Sequence, residues 1–105
     1  MLDQCNYGRY NVTMIQTFKH RGLKLFFETG NPKGVAAEAA KRIQIRLNVL
    51  NRAKELRDIG LPGFGFHPLK GDRKSEYAIS VTSNYRMTFR FDRGDVFDLN
   101  LEDYH

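Results

Sequence analysis

The stretch YAISVTSNYRMTFRFDRGDVFDLNL, residues 77–101, constrains the fold more than any other part of the sequence. It holds three runs in which apolar and polar residues alternate, the period of a strand with one buried face. Tyr77, Ile79 and Val81 share one side of the first run, Tyr85, Met87, Phe89 and Phe91 one side of the second, and Phe97, Leu99 and Leu101 one side of the third. The connections are too short for crossovers, so the runs must pair antiparallel as a meander.

The apolar faces also select a register, because residues paired across a hairpin share a face. A three-residue loop Thr82-Ser83-Asn84 pairs Val81 with Tyr85, Ile79 with Met87 and Tyr77 with Phe89. Asn84 then takes the left-handed third position, which asparagine tolerates. By the same logic a loop Asp92-Arg93-Gly94 pairs Phe89 with Phe97, Met87 with Leu99 and Tyr85 with Leu101. On the polar face this register sets Arg90 opposite Glu76 and Arg86 opposite Ser80 and Asn100, so Arg86 has no acidic partner in the ladder. Continued past Leu101, the last strand would send Asp103 and His105 to the core side. The expectation is that the tail leaves the strand or bulges there.

FHPLKG, residues 66–71, precedes the meander and reads as a fourth, irregular strand at a sheet edge, since Pro68 cannot sit in a fully paired central position. Run antiparallel to YAISV, it brings His67 towards Ser80 and hence towards Arg86. The first half of the chain reads as helix. MIQTFKH suggests a short strand, GLKLFFETG a short helix closed by Gly30, and residues 35–54 a longer helix. The longer helix has Ala36, Ala39, Ala40, Ile43, Leu47 and Leu50 on its apolar face, with Lys41, Arg42, Arg46 and Arg52 outside it. Helices followed by strands make an α+β domain. Residues 1–13 carry no periodicity and read as a flexible extension, leaving 14–105 as the single domain.

Seventeen Lys and Arg against twelve Asp and Glu leave a net charge of +5 and a pI near 9.6, a balance that suits a polyanionic partner such as nucleic acid. One cysteine, Cys5, excludes an internal disulfide, and neither a membrane span nor a signal peptide is evident, so a soluble protein of the reducing cytoplasm is expected. No residue set has metal-ligand spacing, and no cofactor is expected.

His67, Lys70, Arg86 and the final EDYH are thus predicted to converge at one end of the sheet. Two imidazoles, a carboxylate, a phenol and two cations, with no activated serine or cysteine, suit acid-base chemistry on an anion. RNA cleavage requires such a set: one group takes the proton of the 2'-hydroxyl, another protonates the departing 5'-oxygen, and fixed cations stabilise the phosphorane. Imidazole can do either proton job near neutral pH, and the arginine fork suits a phosphate.

LPG, FHPLKG, YAISVTSNYRMTFRF and the final DYH, in this order and spacing, resemble the HigB-like toxins of the RelE superfamily, from about Met14 to His105. The resemblance implies a compact fold of helices packed on a small, mainly antiparallel sheet. It implies a ribosome-dependent mRNA endonuclease, an enzyme that cuts mRNA in the A site of the 70S ribosome and is neutralised by a helix-turn-helix antitoxin, with the free toxin monomeric. Carried over residue by residue, His67 and Lys70 come from HPLKG, Arg86 from NYR, and Asp103, Tyr104 and His105 from the tail. In these terms Arg86 and Lys70 hold the phosphate, while His67, Asp103 and His105 share the acid-base work and Tyr104 either stacks on a base or packs. Lys41, Arg42, Arg46, Arg73 and Lys74 form the expected footprint on 16S ribosomal RNA. A non-catalytic basic module that binds RNA or DNA is the alternative, and a protein-interaction subunit a third reading.

Overall fold

A computed structural model describes residues 13–103 of the chain; residues 1–12, Tyr104 and His105 lie outside the described residues. Two helices, α1 (Arg21–Thr29) and α2 (Ala40–Arg52), precede four strands, β1 (His67–Pro68), β2 (Tyr77–Ser80), β3 (Tyr85–Asp92) and β4 (Asp95–Asp103). The strands form one antiparallel sheet in the order β1-β2-β3-β4. This is the expected α+β architecture. Among the described residues no helix is long and apolar enough to cross a membrane.

His20 caps α1, its Nδ1 accepting the Leu23 N–H at 3.0 Å. Burial pushes the His20 pKa down, which keeps the ring neutral and able to accept. Gly30 ends the helix at φ +80° and donates its N–H to the Phe26 carbonyl at 2.8 Å, as a left-handed cap should. Gly22 lies directly against Gly34: a Cβ at Gly22 would sit 2.0 Å from the Gly34 oxygen. The backbone approach that seats α1 therefore requires glycine.

The predicted long helix is shorter than its apolar pattern. Ala36 is extended at ψ 129°, Ala37–Ala39 make a 3-10 turn, and α-helix proper spans Ala40–Arg52. Alanine spacing continues the stripe without any capping side chain before it, so periodicity overran the true start. Ile43, Leu47 and Leu50 of α2 and Leu23 and Phe26 of α1 pack with Ile79, Met87, Phe89, Val96 and Leu99 of the sheet as one buried core.

The β2–β3 register is the predicted one, with Tyr77 opposite Phe89 and Ile79 opposite Met87. Its turn differs in detail, because Asn84 does not take a positive φ. The Thr82 hydroxyl instead accepts the N–H groups of Asn84 and Tyr85, at 3.1 and 3.2 Å, a local side-chain bond that closes the turn without a left-handed residue.

The β3–β4 hairpin departs from expectation. Asp92 pairs with Asp95, so the loop is the two residues Arg93 and Gly94, at φ +52° and +89°, the signs a two-residue type I′ turn needs. The ladder then runs Phe91 opposite Val96 and Arg90 opposite Phe97, and skips a residue between Thr88 and Arg90. Phe89 thus faces both Asp98 and Leu99, and Asp98 is the bulged residue at φ +56°. Tighter turn and bulge each move the pairing by one residue, so Leu101 faces Met87, Glu102 faces Arg86 and Asp103 faces Tyr85. The expected bulge after Leu101 is therefore absent. It occurs earlier, and the strand runs on through Asp103.

Two outside contacts hold the bulge. The Asp98 N–H donates to the Thr17 hydroxyl at 2.7 Å, and Arg90 Nε donates to Asp98 Oδ2 at 2.8 Å. Arg90 therefore pairs with Asp98, not with Glu76. Thr17 belongs to MIQTFKH, which is not a full strand but lies parallel along the free edge of β4, bridging through Ile15 to Val96 and Phe18 to Leu99.

Candidate active site

The sheet face away from the helices carries the polar residues of interest. His67 pairs with Ala78, which pairs with Thr88, which pairs with Asn100. In the neighbouring row Ser80 pairs with Arg86 and Arg86 with Glu102. Cross-strand partners share a face, so His67 and Arg86 stand on one surface, two strands and two residues apart. Strand spacing of about 4.8 Å and a rise of about 3.3 Å put their Cα atoms roughly 12 Å apart, a gap that two side chains and a phosphate can span.

His67 lies at the sheet edge, exposed, with the irregular pairing predicted for a strand containing Pro68. Its Nδ1 is 2.8 Å from the Gly65 carbonyl oxygen. A carbonyl can only accept, so Nδ1 carries a proton, which leaves Nε2 as the nitrogen able to exchange one. Gly65 has φ +57°, and a Cβ there would come within 2.9 Å of Ser80 Oγ. The bend that turns its carbonyl to His67 thus suits glycine.

The loop after His67 is tied at both ends. The Leu69 N–H donates to the Glu76 carbonyl at 2.9 Å, and the Glu76 N–H returns to the Arg73 carbonyl at 2.8 Å. Lys70 opens the 3-10 turn Gly71–Arg73 and is exposed, as is Lys74.

Arg73, expected in the RNA footprint, is engaged by two carboxylates. Its Nε and Nη2 donate to the two oxygens of Glu76, at 3.2 and 2.9 Å. Nη1 donates to Glu102 Oε1 at 3.2 Å, and Nη2 makes a short ion pair with Glu102 Oε2. Wedged between two carboxylates, the guanidinium has its pKa raised.

Glu102 is the hub of this face. Besides Arg73, it accepts from Arg86 Nε and Nη2, at 3.0 and 2.9 Å, and from the Thr88 hydroxyl at 3.1 Å. Hydrogen bonds from Arg73, then from Arg86 and Thr88, outweigh the cost of burial and hold the Glu102 carboxyl at about 2, because each donor favours the charged form. The expectation that Arg86 lacks an acidic partner is thereby corrected. Glu102 is also the residue that sequence reasoning missed, although it is the first letter of the EDYH tail. A register two residues off left it beyond the last pair.

Asp103 follows on β4, exposed and paired with Tyr85, so by alternation it starts from the face of Tyr85 and Leu101 and not from the face of His67 and Arg86, a placement that the expected bulge would have avoided. Tyr104 and His105 continue from it outside the described residues. Among the expected RNA-binding residues of α2, Lys41 and Arg42 are exposed, and Arg42 Nη1 reaches the Val81 carbonyl at 3.3 Å. Arg46 is a correction: it is 7% exposed, donates from Nε to the Ser80 carbonyl at 2.6 Å and lies 4.4 Å over the Phe64 ring. Its spacing, three after Ile43 and four before Leu50, puts it on the buried stripe. Among the described residues no group of His, Cys, Asp or Glu could hold a metal ion.

This arrangement can bind an anion and exchange protons beside it: an exposed edge imidazole and an arginine held by a carboxylate share one sheet face, and an exposed lysine stands on the loop that follows the imidazole. The endoribonuclease HigB of Proteus vulgaris is 47% identical over 92 residues, which is 88% of this chain and 100% of the relative. A family model for the RelE-like toxin of type II toxin-antitoxin systems, HigB, matches residues 16–105. With nearly the whole patterned sequence inside that match, the chain belongs to the HigB-like family of RelE-like toxins.

Proposed function

We propose that the protein is the toxin of a type II toxin-antitoxin module and acts as an endoribonuclease, inhibiting translation in the cytoplasm by cutting mRNA in the ribosomal A site. The observation that carries this reading is the placement of Arg86, anchored on Glu102, on the same sheet face as the exposed His67. His67 Nε2 takes the 2'-hydroxyl proton. The freed oxygen attacks phosphorus, the P–O5' bond breaks, and a 2',3'-cyclic phosphate forms. His105 and Asp103 share the work of protonating the leaving 5'-oxygen, and Tyr104 stacks on a base or packs. Arg86 and Lys70 stabilise the phosphorane, where charge develops and fixed donors have the greatest effect. The exposed cations Lys41, Arg42 and Lys74 contribute the salt-dependent attraction to ribosomal RNA, and the partner that silences the toxin is a helix-turn-helix antitoxin.

The test is cleavage of a short mRNA programmed on 70S ribosomes, with ribosome-free RNA alongside. His67→Ala, Arg86→Ala and a chain lacking His105 are each expected to lose rate by about 100-fold or more, with cyclic phosphate ends on the wild-type product and ribosome binding retained. Cleavage indifferent to all three changes would move the protein to the class of non-catalytic RNA-binding modules.

A further inference from the structure

Arg86 and Lys70, the two cations assigned to the phosphate, come from different parts of the chain, a central strand and an exposed loop. One carboxylate is bonded both to Arg86 and to the loop that carries Lys70. Glu102 holds Arg86 through Oε1 and, through both oxygens, Arg73. Arg73 closes the loop that Lys70 opens, and its remaining bonds go to Glu76 within that loop. Thr88 completes the cluster from β3.

We propose that Glu102 is a positioning residue: it aims Arg86 at the scissile phosphate and, by way of Arg73, fixes the Lys70 loop against the strand that carries Asp103. The proposal rests on the active-site reading above. Charge supports it. A carboxylate beside a phosphate site opposes ground-state binding of the anion, and in this cluster Glu76 and Glu102 cancel Arg73 and Arg86. Such an acid does not raise affinity for RNA. What it provides is geometry: Nε and Nη2 of Arg86 are both held on Glu102, which fixes the plane of its guanidinium. A fixed orientation before substrate arrives lowers the barrier without tightening the ground state.

The consequence is a split that a purely structural residue does not produce. Glu102→Gln keeps the size of the side chain and removes the charge. Single-turnover cleavage on programmed ribosomes is expected to fall about 10- to 100-fold, while ribosome affinity stays the same or tightens. Arg73→Ala is the second variant, and it decides the matter if Glu102→Gln does not fold. It is expected to lower the cleavage rate without changing the slope of ribosome affinity against salt, whereas loss of an RNA phosphate contact lowers that slope by about one. Circular dichroism establishes that each variant is folded at the assay temperature. A Glu102→Gln protein that cleaves within twofold of wild type overturns the proposal. So does one whose rate and affinity fall together, or an Arg73→Ala protein with a reduced salt slope. Arg86→Ala run beside them separates the two levels of inference: if it also cleaves normally, the active-site reading itself fails; if it alone is inactive, only the role of Glu102 fails.

Discussion

Glu102 also makes the fold sensitive to acid, and the size of that effect follows from its surroundings. The carboxyl is held at about 2 against an ordinary 4.5. A depressed acid contributes stability that is complete above its unfolded value and drains away as pH falls towards its folded value. The window therefore runs from pH 4.5 down to about 2. The full difference corresponds to about 3 kcal/mol at neutral pH. The Glu102 side chain is 21% exposed but its main partner Arg73 is 36% exposed, so solvent screening reduces the expectation to about 2 kcal/mol. Glu102→Gln removes the titrating group while Glu76 and Asp58, the other acids held low by hydrogen bonds, titrate in both proteins. Urea unfolding followed by far-ultraviolet circular dichroism, repeated from pH 7 to pH 2, should show wild type ahead of the variant by about 2 kcal/mol above pH 5, with the gap closing as pH approaches 2. A gap that stays constant across that range would mean that Glu102 acts through packing alone, and the electrostatic account of the cluster would be wrong.

Three further outcomes follow from the geometry. Arg46→Ala removes the bond to the Ser80 carbonyl and the contact with Phe64, so thermal or urea unfolding should report a loss of about 2 to 3 kcal/mol; the salt dependence of ribosome binding should not change. Gly22→Ala forces a methyl against the Gly34 oxygen, and equilibrium unfolding should report a loss of about 2 kcal/mol or more. A chain beginning at Met14 should cleave programmed mRNA at the full-length rate, and a large loss would show that residues 1–13 take part.

What could be read from sequence was set by whether local chemistry and tertiary contacts agreed. Gly30 stops α1 and Tyr77, Ile79, Met87 and Phe89 share the core face because alternation and capping are properties of the residues themselves. The β4 register was not legible, because it depends on two residues other than glycine with positive φ, Arg93 and Asp98. The second of these is secured by Thr17 from a segment remote in sequence. That single difference hid the Arg86–Glu102 pair. That His67 and Arg86 share a sheet face could be read because the β2–β3 register was legible, although His67 stands opposite Ala78 and not beside Ser80. Arg46 was misassigned because charge suggested solvent, although its helical spacing pointed inward. The carbonyl of Ser80, on a strand 34 positions away, is what satisfies it there.

The Asp98 bulge gives β4 two phases, like a text read in two frames. Before it, Val96 points to the core; after it, Leu99 and Leu101 do, and Asn100 and Glu102 are turned to the outer face. A length change at the hairpin turn is absorbed where a matching change at the bulge resets the pairing. The segment from Leu99 to Asp103 has no such slack. One residue added there would leave Asn100 in frame and turn Glu102 towards the apolar side, parting it from Arg86, Arg73 and Thr88 at once. Variation among related chains should therefore collect at the Arg93–Gly94 corner, while the spacing from the bulge to the acidic end of the strand is held constant.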